Sequence, residues 1–95
     1  DLERRFAGGV RMMILCNPHN PVGRVWRREE LQRLVDLANQ YHVIIVCDEI
    51  HADFNFGEIP HTRILSLEGS ENCVMLTSAT KSFNLAGLRQ SSIIV

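Results

Sequence analysis

Long apolar runs, an excess of charge of one sign and paired cysteine motifs are all absent from this sequence. The apolar run 43–47 is far too short to cross a bilayer, so no membrane-spanning segment is predicted. The net charge is -1 over 95 residues, and a balance so close to neutral gives no indication of a nucleic-acid or membrane-surface partner. With 45% apolar residues, the chain is typical of one globular unit.

The three cysteines, Cys16, Cys47 and Cys73, are odd in number and lie in or beside apolar runs. We expect them to be reduced core thiols of a cytosolic protein rather than members of a disulfide framework. The cysteines and histidines show no C-x-x-C or H-x-x-x-H spacing, so no metal site is predicted.

The two ends of the sequence lie inside elements that the pattern predicts. It begins at Asp1 with no initiator methionine or signal peptide, and it stops at Val95 within an apparent strand. Residues 1–95 are therefore interpreted as one part of a larger domain that is cut at both ends. Its own helices would cover the sheet only partly, so we expect exposed apolar strand surface.

Three short apolar runs, 12–16, 43–47 and 73–76, predict parallel strands over 10–16, 43–47 and 73–76 that are buried on both faces. Between the first two, apolar residues recur at helical spacing over Glu29–Tyr41. A strand, a helix and a strand within about forty residues predict a βαβ unit with a right-handed crossover. Further elements are predicted as a helix over 1–7, a short helix over 62–67 and a fourth strand over 91–95. The predicted fold class is α/β, with a mostly parallel sheet and helical crossovers.

Each predicted parallel strand runs directly into a polar cluster, at 17–20, 48–51 and 78–81. In an open parallel sheet, ligands bind in the crevice outside the carboxyl ends of the strands. The direction of the chain therefore predicts an amide, a carboxylate, an imidazole and an amine around one pocket. Taken singly, each cluster is also compatible with capping and turn chemistry, and Lys81 with a surface position in a strand-to-helix loop.

Together, these groups suit pyridoxal 5'-phosphate. The amine of Lys81 can form a Schiff base with an aldehyde, and the carboxylate of Asp48 can keep a pyridine nitrogen protonated. Hydrogen bonds from Asn20 and His51 can hold the ring hydroxyl as a phenolate.

The phosphate of the same cofactor requires hydroxyl groups and a cation. Ser78 and Arg89 are the candidates, with Ser82 as a further hydroxyl, because arginine is suited to a bidentate grip on phosphate. Glu49 alternates to the face opposite Asp48, so we expect a structural role for it.

The stretches Asn17–Gly23, Asp48–His51 and Ser78–Arg89 carry a family resemblance. In their order and spacing they resemble the fold-type I pyridoxal-phosphate enzymes of the class I/II aminotransferase family. Within it, the chain is most similar to bacterial cystathionine β-lyases, or cysteine-S-conjugate β-lyases. Most aminotransferases of the family have tyrosine in place of His51, which the β-lyase branch shares, and glycine in place of Ser91.

The resemblance implies a role for each matching residue. It implies that Lys81 binds the cofactor covalently, that Asp48 pairs with the pyridine nitrogen and that Asn20 bonds the ring hydroxyl. It also implies phosphate contacts from Ser78 and Arg89. For the full-length protein it implies a small amino-acid substrate, a homodimer and a cytoplasmic location.

Two reactions share these residues. A β-lyase expels a thiolate and yields pyruvate and ammonia, whereas an aminotransferase yields an oxo acid and an aminated cofactor. The overall resemblance favours the lyase, with the aminotransferase as the alternative. A non-catalytic fragment or binding module is a further alternative.

Overall fold

A four-stranded sheet in the order β1-β2-β3-β4 organises the chain, and the computed structural model describes all residues 1–95. The first three strands are parallel, and β4 pairs with β3 in the antiparallel direction. The strands are β1 (Met12–Cys16), β2 (Ile44–Asp48), β3 (Cys73–Thr77) and β4 (Ser92–Ile94), and the helices are α1 (Leu2–Ala7), α2 (Arg28–Gln40) and α3 (Ala79–Ser82). Short 3-10 turns occur at Ala52–Phe54, Ile64–Ser66, Ser70–Asn72 and Ala86–Leu88. The α/β prediction with a mostly parallel sheet is confirmed.

The long helix α2 packs on one face of the sheet through Leu31, Val35 and Ala38, which are all buried. The helix begins without a capping side chain from Arg27, as the poor capping chemistry of arginine predicts. Instead, the Glu30 carboxylate accepts the Arg27 N–H at 2.9 Å. This hydrogen bond, with the nearby Arg24 guanidinium, holds the pKa of Glu30 below its usual value.

The sheet is buried on one face only, which corrects the prediction of strands buried on both faces. Leu15, Cys47 and Met75 lie in the core on the α2 side. On the opposite face Met12 and Ile14 are 55% and 66% exposed. A continuous apolar pattern is typical of strands in a sheet whose two faces are both covered by other elements. In this chain the long crossover helix covers only one face. The expected exposure of apolar strand surface is confirmed.

Other sequence predictions hold with shifted bounds. The predicted helix over 62–67 is reduced to the turn Ile64–Ser66, and Lys81 lies within the four-residue helix α3 rather than in a loop. None of the helices combines the length and apolar character needed to cross a membrane.

The cysteines are free, and Cys47 and Cys73 are buried in the core. Burial raises the pKa of the Cys47 thiol, and the neighbouring Glu49 carboxylate adds to the rise. Burial likewise raises the pKa of Cys73. Both thiols are therefore neutral in the folded protein at pH values where an exposed thiol ionises.

This raised pKa predicts a loss of stability at alkaline pH. Below about pH 8.5 the thiol is neutral in both the folded and the unfolded state. Above that pH it ionises only in the unfolded state, and this ionisation stabilises the unfolded state relative to the folded one. One such thiol costs about 1.4 kcal/mol of unfolding free energy at pH 9.5. Urea unfolding at pH 7.5 and 9.5 should show a smaller alkaline loss for Cys47→Ala than for the unmodified protein. Cys16→Ala, at a half-buried position, is the control, and equal losses in all three proteins would contradict the prediction.

Candidate cofactor site

The three polar clusters meet at the carboxyl edge of the parallel strands. The Asn17 N–H donates to the Asp48 carbonyl at 3.0 Å, and the Glu49 N–H donates to the Leu76 carbonyl at 2.9 Å. These bonds continue the ladder past the strand ends, so the segments after β1, β2 and β3 leave the sheet side by side. The predicted convergence at this edge follows directly from the register.

Asn20, Asp48 and His51 line one pocket of about 160 Å³, here called the Asp48 pocket. Cys16, Pro18 and Ile50 complete its walls. A carboxylate, an amide and an imidazole thus face the same small space, and they are the groups that a pyridine ring with a hydroxyl substituent requires. The donor set of this pocket fits pyridoxal 5'-phosphate.

Asp48 is held by its own backbone turn. One carboxylate oxygen, Oδ1, accepts the Ile50 N–H at 3.1 Å, and the side chain is half-buried. The other oxygen, Oδ2, makes no hydrogen bond within the chain, so it can accept a proton donor in the pocket. This arrangement suits the role that the resemblance assigns to Asp48.

The first asparagine of the Asn17–Gly23 segment has a different role from Asn20. Asn17 is fully buried, its Oδ1 accepts the Trp26 N–H at 3.1 Å, and its amide donates to the Thr62 carbonyl at 3.2 Å. Asn17 therefore anchors the loop, whereas Asn20 is exposed beside the Asp48 pocket.

His51 lies between two cavities. It lines the Asp48 pocket and an adjoining cavity of about 160 Å³ that Phe54 also lines. The rings of His51 and Phe54 are tilted by 53° with centroids 6.1 Å apart, a separation typical of interacting aromatic pairs. This contact was not predicted from the sequence. The only indication in the sequence is that His51 and Phe54 are three residues apart, a spacing that brings two side chains together in a 3-10 turn.

Ser78 lies in a neighbouring cavity of about 310 Å³, here called the Ser78 pocket, which shares Ile50 with the Asp48 pocket. Its hydroxyl donates to the Gln90 carbonyl at 2.6 Å and accepts the Thr80 N–H at 3.1 Å. Ser78 thus caps α3, and the capping interpretation holds for this residue. A phosphate contact from Ser78 requires its hydroxyl proton to turn away from Gln90.

Lys81 and Arg89 line neither pocket. Lys81 is exposed on α3, and its side chain makes no hydrogen bond or ion pair. The amine of Lys81 therefore lies outside the pocket that Asn20, Asp48 and His51 line. Arg89 is also exposed, with a left-handed φ of 50°.

Glu49 points away from the Asp48 pocket and into the protein, as alternation along β2 predicts. Its Oε1 accepts the Ile64 N–H at 2.7 Å, and its Oε2 lies 3.1 Å from His61 Nε2. Arg63 Nη1 is 3.8 Å from the same oxygen. The structural role expected for Glu49 is confirmed, but these partners lie twelve to fifteen residues away and were not predicted.

A second missed contact joins the segments that follow β2 and β3. The Ser82 hydroxyl donates to the Asp53 carboxylate. Sequence reasoning had considered Ser82 only for phosphate and had not considered Asp53. No group of three or more histidine, cysteine, aspartate or glutamate side chains is arranged to hold a metal ion.

Comparisons with known proteins identify the family of the chain. Residues 1–95 match the family described as aminotransferase class I and II. The chain is 43% identical to cystathionine β-lyase PatB of Bacillus subtilis, over 100% of this chain and 25% of PatB. It is 34% identical to human kynurenine–oxoglutarate transaminase 3, over 92% of this chain and 19% of that protein.

Solved structures show the same fold. The crystal structure of cystalysin from Treponema denticola, which contains a pyridoxal 5'-phosphate cofactor, superposes with a TM-score of 0.92 at 34% identity. The match covers 99% of this chain and 25% of cystalysin. The chain thus spans about a quarter of the length of these relatives. It belongs to the aminotransferase class I and II family, and its sheet is that of the fold-type I pyridoxal-phosphate enzymes.

Proposed function

We propose that this chain is part of the cofactor-binding domain of a pyridoxal-phosphate enzyme that cleaves a carbon–sulfur bond by β-elimination. The observation that carries the proposal is the Asp48 pocket, where Asn20, Asp48 and His51 come together at the carboxyl edge of the sheet. Similarity to cystathionine β-lyase PatB supports the lyase, and similarity to cystalysin supports the cofactor. The substrate class is cystathionine or another cysteine S-conjugate.

When bound, pyridoxal 5'-phosphate supplies an electron sink for a carbanion at the amino-acid Cα. Asp48 holds the proton of the ring nitrogen, and Asn20 and His51 donate hydrogen bonds to the ring hydroxyl. Lys81 would hold the cofactor through its amine, and the same amine would serve as the base for the Cα proton of the substrate. Ser78 and Arg89 contact the phosphate.

The two reactions differ in where the proton and the leaving group go. In the lyase, loss of the Cα proton is followed by departure of the thiolate from Cβ, and water then releases pyruvate and ammonia. In an aminotransferase no group would leave Cβ, and the Lys81 amine would serve as the acid that redelivers the proton. The similarity to kynurenine–oxoglutarate transaminase 3 supports the aminotransferase as a second candidate. Both reactions would use the same residues of this chain.

The full-length protein that contains this chain tests the proposal. We expect visible absorbance from bound pyridoxal phosphate, fixed by borohydride onto a peptide that contains Lys81. Cystathionine should then yield pyruvate without an added oxo acid. Amino-group transfer that depends on an oxo acid, with no pyruvate, would select the aminotransferase. Absence of bound cofactor would overturn the enzyme proposal in favour of a non-catalytic module.

The same proposal includes the cellular setting that the resemblance implies. The full-length protein is a cytoplasmic homodimer that acts on a small amino acid. Size-exclusion chromatography with light scattering tests the dimer, and a monomer with full activity would contradict it.

A further inference from the structure

The hydrogen bond between Ser82 and Asp53 joins two parts of the candidate site that lie 29 residues apart in the chain. Ser82 is the last residue of α3 and directly follows Lys81. Asp53 is the middle residue of the 3-10 turn Ala52–Phe54, and this turn directly follows His51. The bond therefore connects the segment that carries the proposed covalent lysine with the segment that carries a proposed ring contact.

A single hydrogen bond joins α3 to the segment that follows β2. The helix has only four residues, which is too short to be stable without tertiary contacts. Its start is fixed by Ser78, which bonds Thr80 and the Gln90 carbonyl. The bond from Ser82 to Asp53 is the one hydrogen bond between residues 78–90 and residues 50–56.

The chemistry of this bond suits a positioning role. A hydroxyl that donates to a carboxylate makes a stronger and shorter hydrogen bond than a neutral pair. Asp53 also lines the Ser78 pocket, which adjoins the Asp48 pocket at Ile50. The single proton of Ser82 is directed to Asp53, so Ser82 contributes to the site through this bond rather than through phosphate.

We propose that Asp53 is a positioning residue that acts through Ser82 to orient α3, and with it Lys81, toward the Asp48 pocket. The inference rests on the proposed function, because it assigns Lys81 to the cofactor. Without the bond, α3 retains its start at Ser78 but loses its link to the β2 segment. The amine of Lys81 then spends less time in the orientation that reacts with the cofactor aldehyde.

The test uses the full-length protein, freed of cofactor and mixed with pyridoxal phosphate at fixed pH. The rate of covalent capture is followed by visible absorbance. Ser82→Ala and Asp53→Ala are expected to slow capture about tenfold and to lower kcat about tenfold, with KM changed less than about twofold. Ser82→Thr and Asp53→Asn retain a donor and an acceptor, so they should recover most of the capture rate.

The double variant Ser82→Ala/Asp53→Ala separates a shared bond from two independent effects. If Ser82 and Asp53 act only through their shared hydrogen bond, the double variant captures cofactor no more slowly than the slower single variant. Ser66→Ala removes an exposed hydroxyl that donates to the Arg63 carbonyl, and Asp36→Asn removes an exposed charge on α2. These two controls should capture cofactor at the unmodified rate.

Four results would overturn the inference, and the fourth would overturn the proposed function as well. Unmodified capture by Ser82→Ala would show that the bond does not position Lys81. Equal slowing by Asp53→Asn and Asp53→Ala would assign the effect to the charge of Asp53 instead of its bond to Ser82. A lower unfolding midpoint with an unchanged capture rate would indicate a role in stability alone. If the unmodified protein captures no cofactor, the proposed function fails, and this inference with it.

Discussion

Replacement of Lys81 by alanine is expected to abolish the covalent attachment of pyridoxal phosphate and to lower turnover by at least about 10³-fold. General acid–base catalysis by one positioned side chain contributes about 10² to 10⁴ in rate, and Lys81 is proposed to act as both cofactor anchor and base. It is also the only lysine of this sequence. Borohydride treatment followed by peptide mapping measures the attachment, and pyruvate release measures turnover.

Two control variants sharpen the Lys81 experiment. Lys81→Arg retains the positive charge but not the nucleophilic amine, so it should be as inactive as Lys81→Ala. Arg63→Ala removes a half-exposed cation that lines the Ser78 pocket, and it should retain covalent cofactor. Borohydride-stable cofactor in Lys81→Ala would sink the assignment of Lys81. Retained activity in Lys81→Arg would reduce its role to charge alone.

Replacement of Glu49 by alanine is expected to have the largest effect on stability, about 3 kcal/mol of unfolding free energy. The Glu49 side chain is fully buried, and its removal strips the Ile64 N–H and His61 Nε2 of their acceptor. His61 Nδ1 is already buried without a partner, so the variant leaves both ring nitrogens unpaired. Buried polar groups without partners cost about 1–3 kcal/mol each.

The measurement is urea unfolding of the cofactor-free protein at neutral pH. Glu49→Gln keeps an oxygen acceptor for Ile64, so its loss should be smaller, about 1 kcal/mol. Glu58→Ala, at an exposed position, should stay within about 0.5 kcal/mol of the unmodified protein. A loss below 1 kcal/mol for Glu49→Ala would contradict the structural role of this carboxylate.

Asp48 and Glu49 are neighbours in the chain but have different expected roles, because successive side chains of a strand point to opposite faces of the sheet. Their backbones are adjacent, yet Asp48 faces the candidate site and Glu49 faces the core. The Glu49→Ala variant should therefore be less stable to unfolding without losing the groups that bind the cofactor. In the fraction that remains folded, cofactor capture should be retained if Asp48 is still held by the Ile50 N–H.

Local pattern and chain direction by themselves determined the main features of this protein. Short apolar runs and one helical period predicted three parallel strands and their crossover helix, because residues close in sequence share an element and its period. The direction of the strands placed Asn20, Asp48 and His51 at one edge. Alternation along β2 separated Asp48 from Glu49.

Only the tertiary structure decided the features that depend on the path of the loops. It set β4 antiparallel to β3, decided which face of the sheet is exposed, and joined Ser82 to Asp53 and Glu49 to the 61–64 segment. It also placed Lys81 on an exposed part of α3. The hydrophobic period of an element indicates which of its residues are buried. It does not indicate which distant loop residue forms a hydrogen bond with a given carboxylate, or which element packs on a given face of a strand. Those contacts follow from packing in three dimensions.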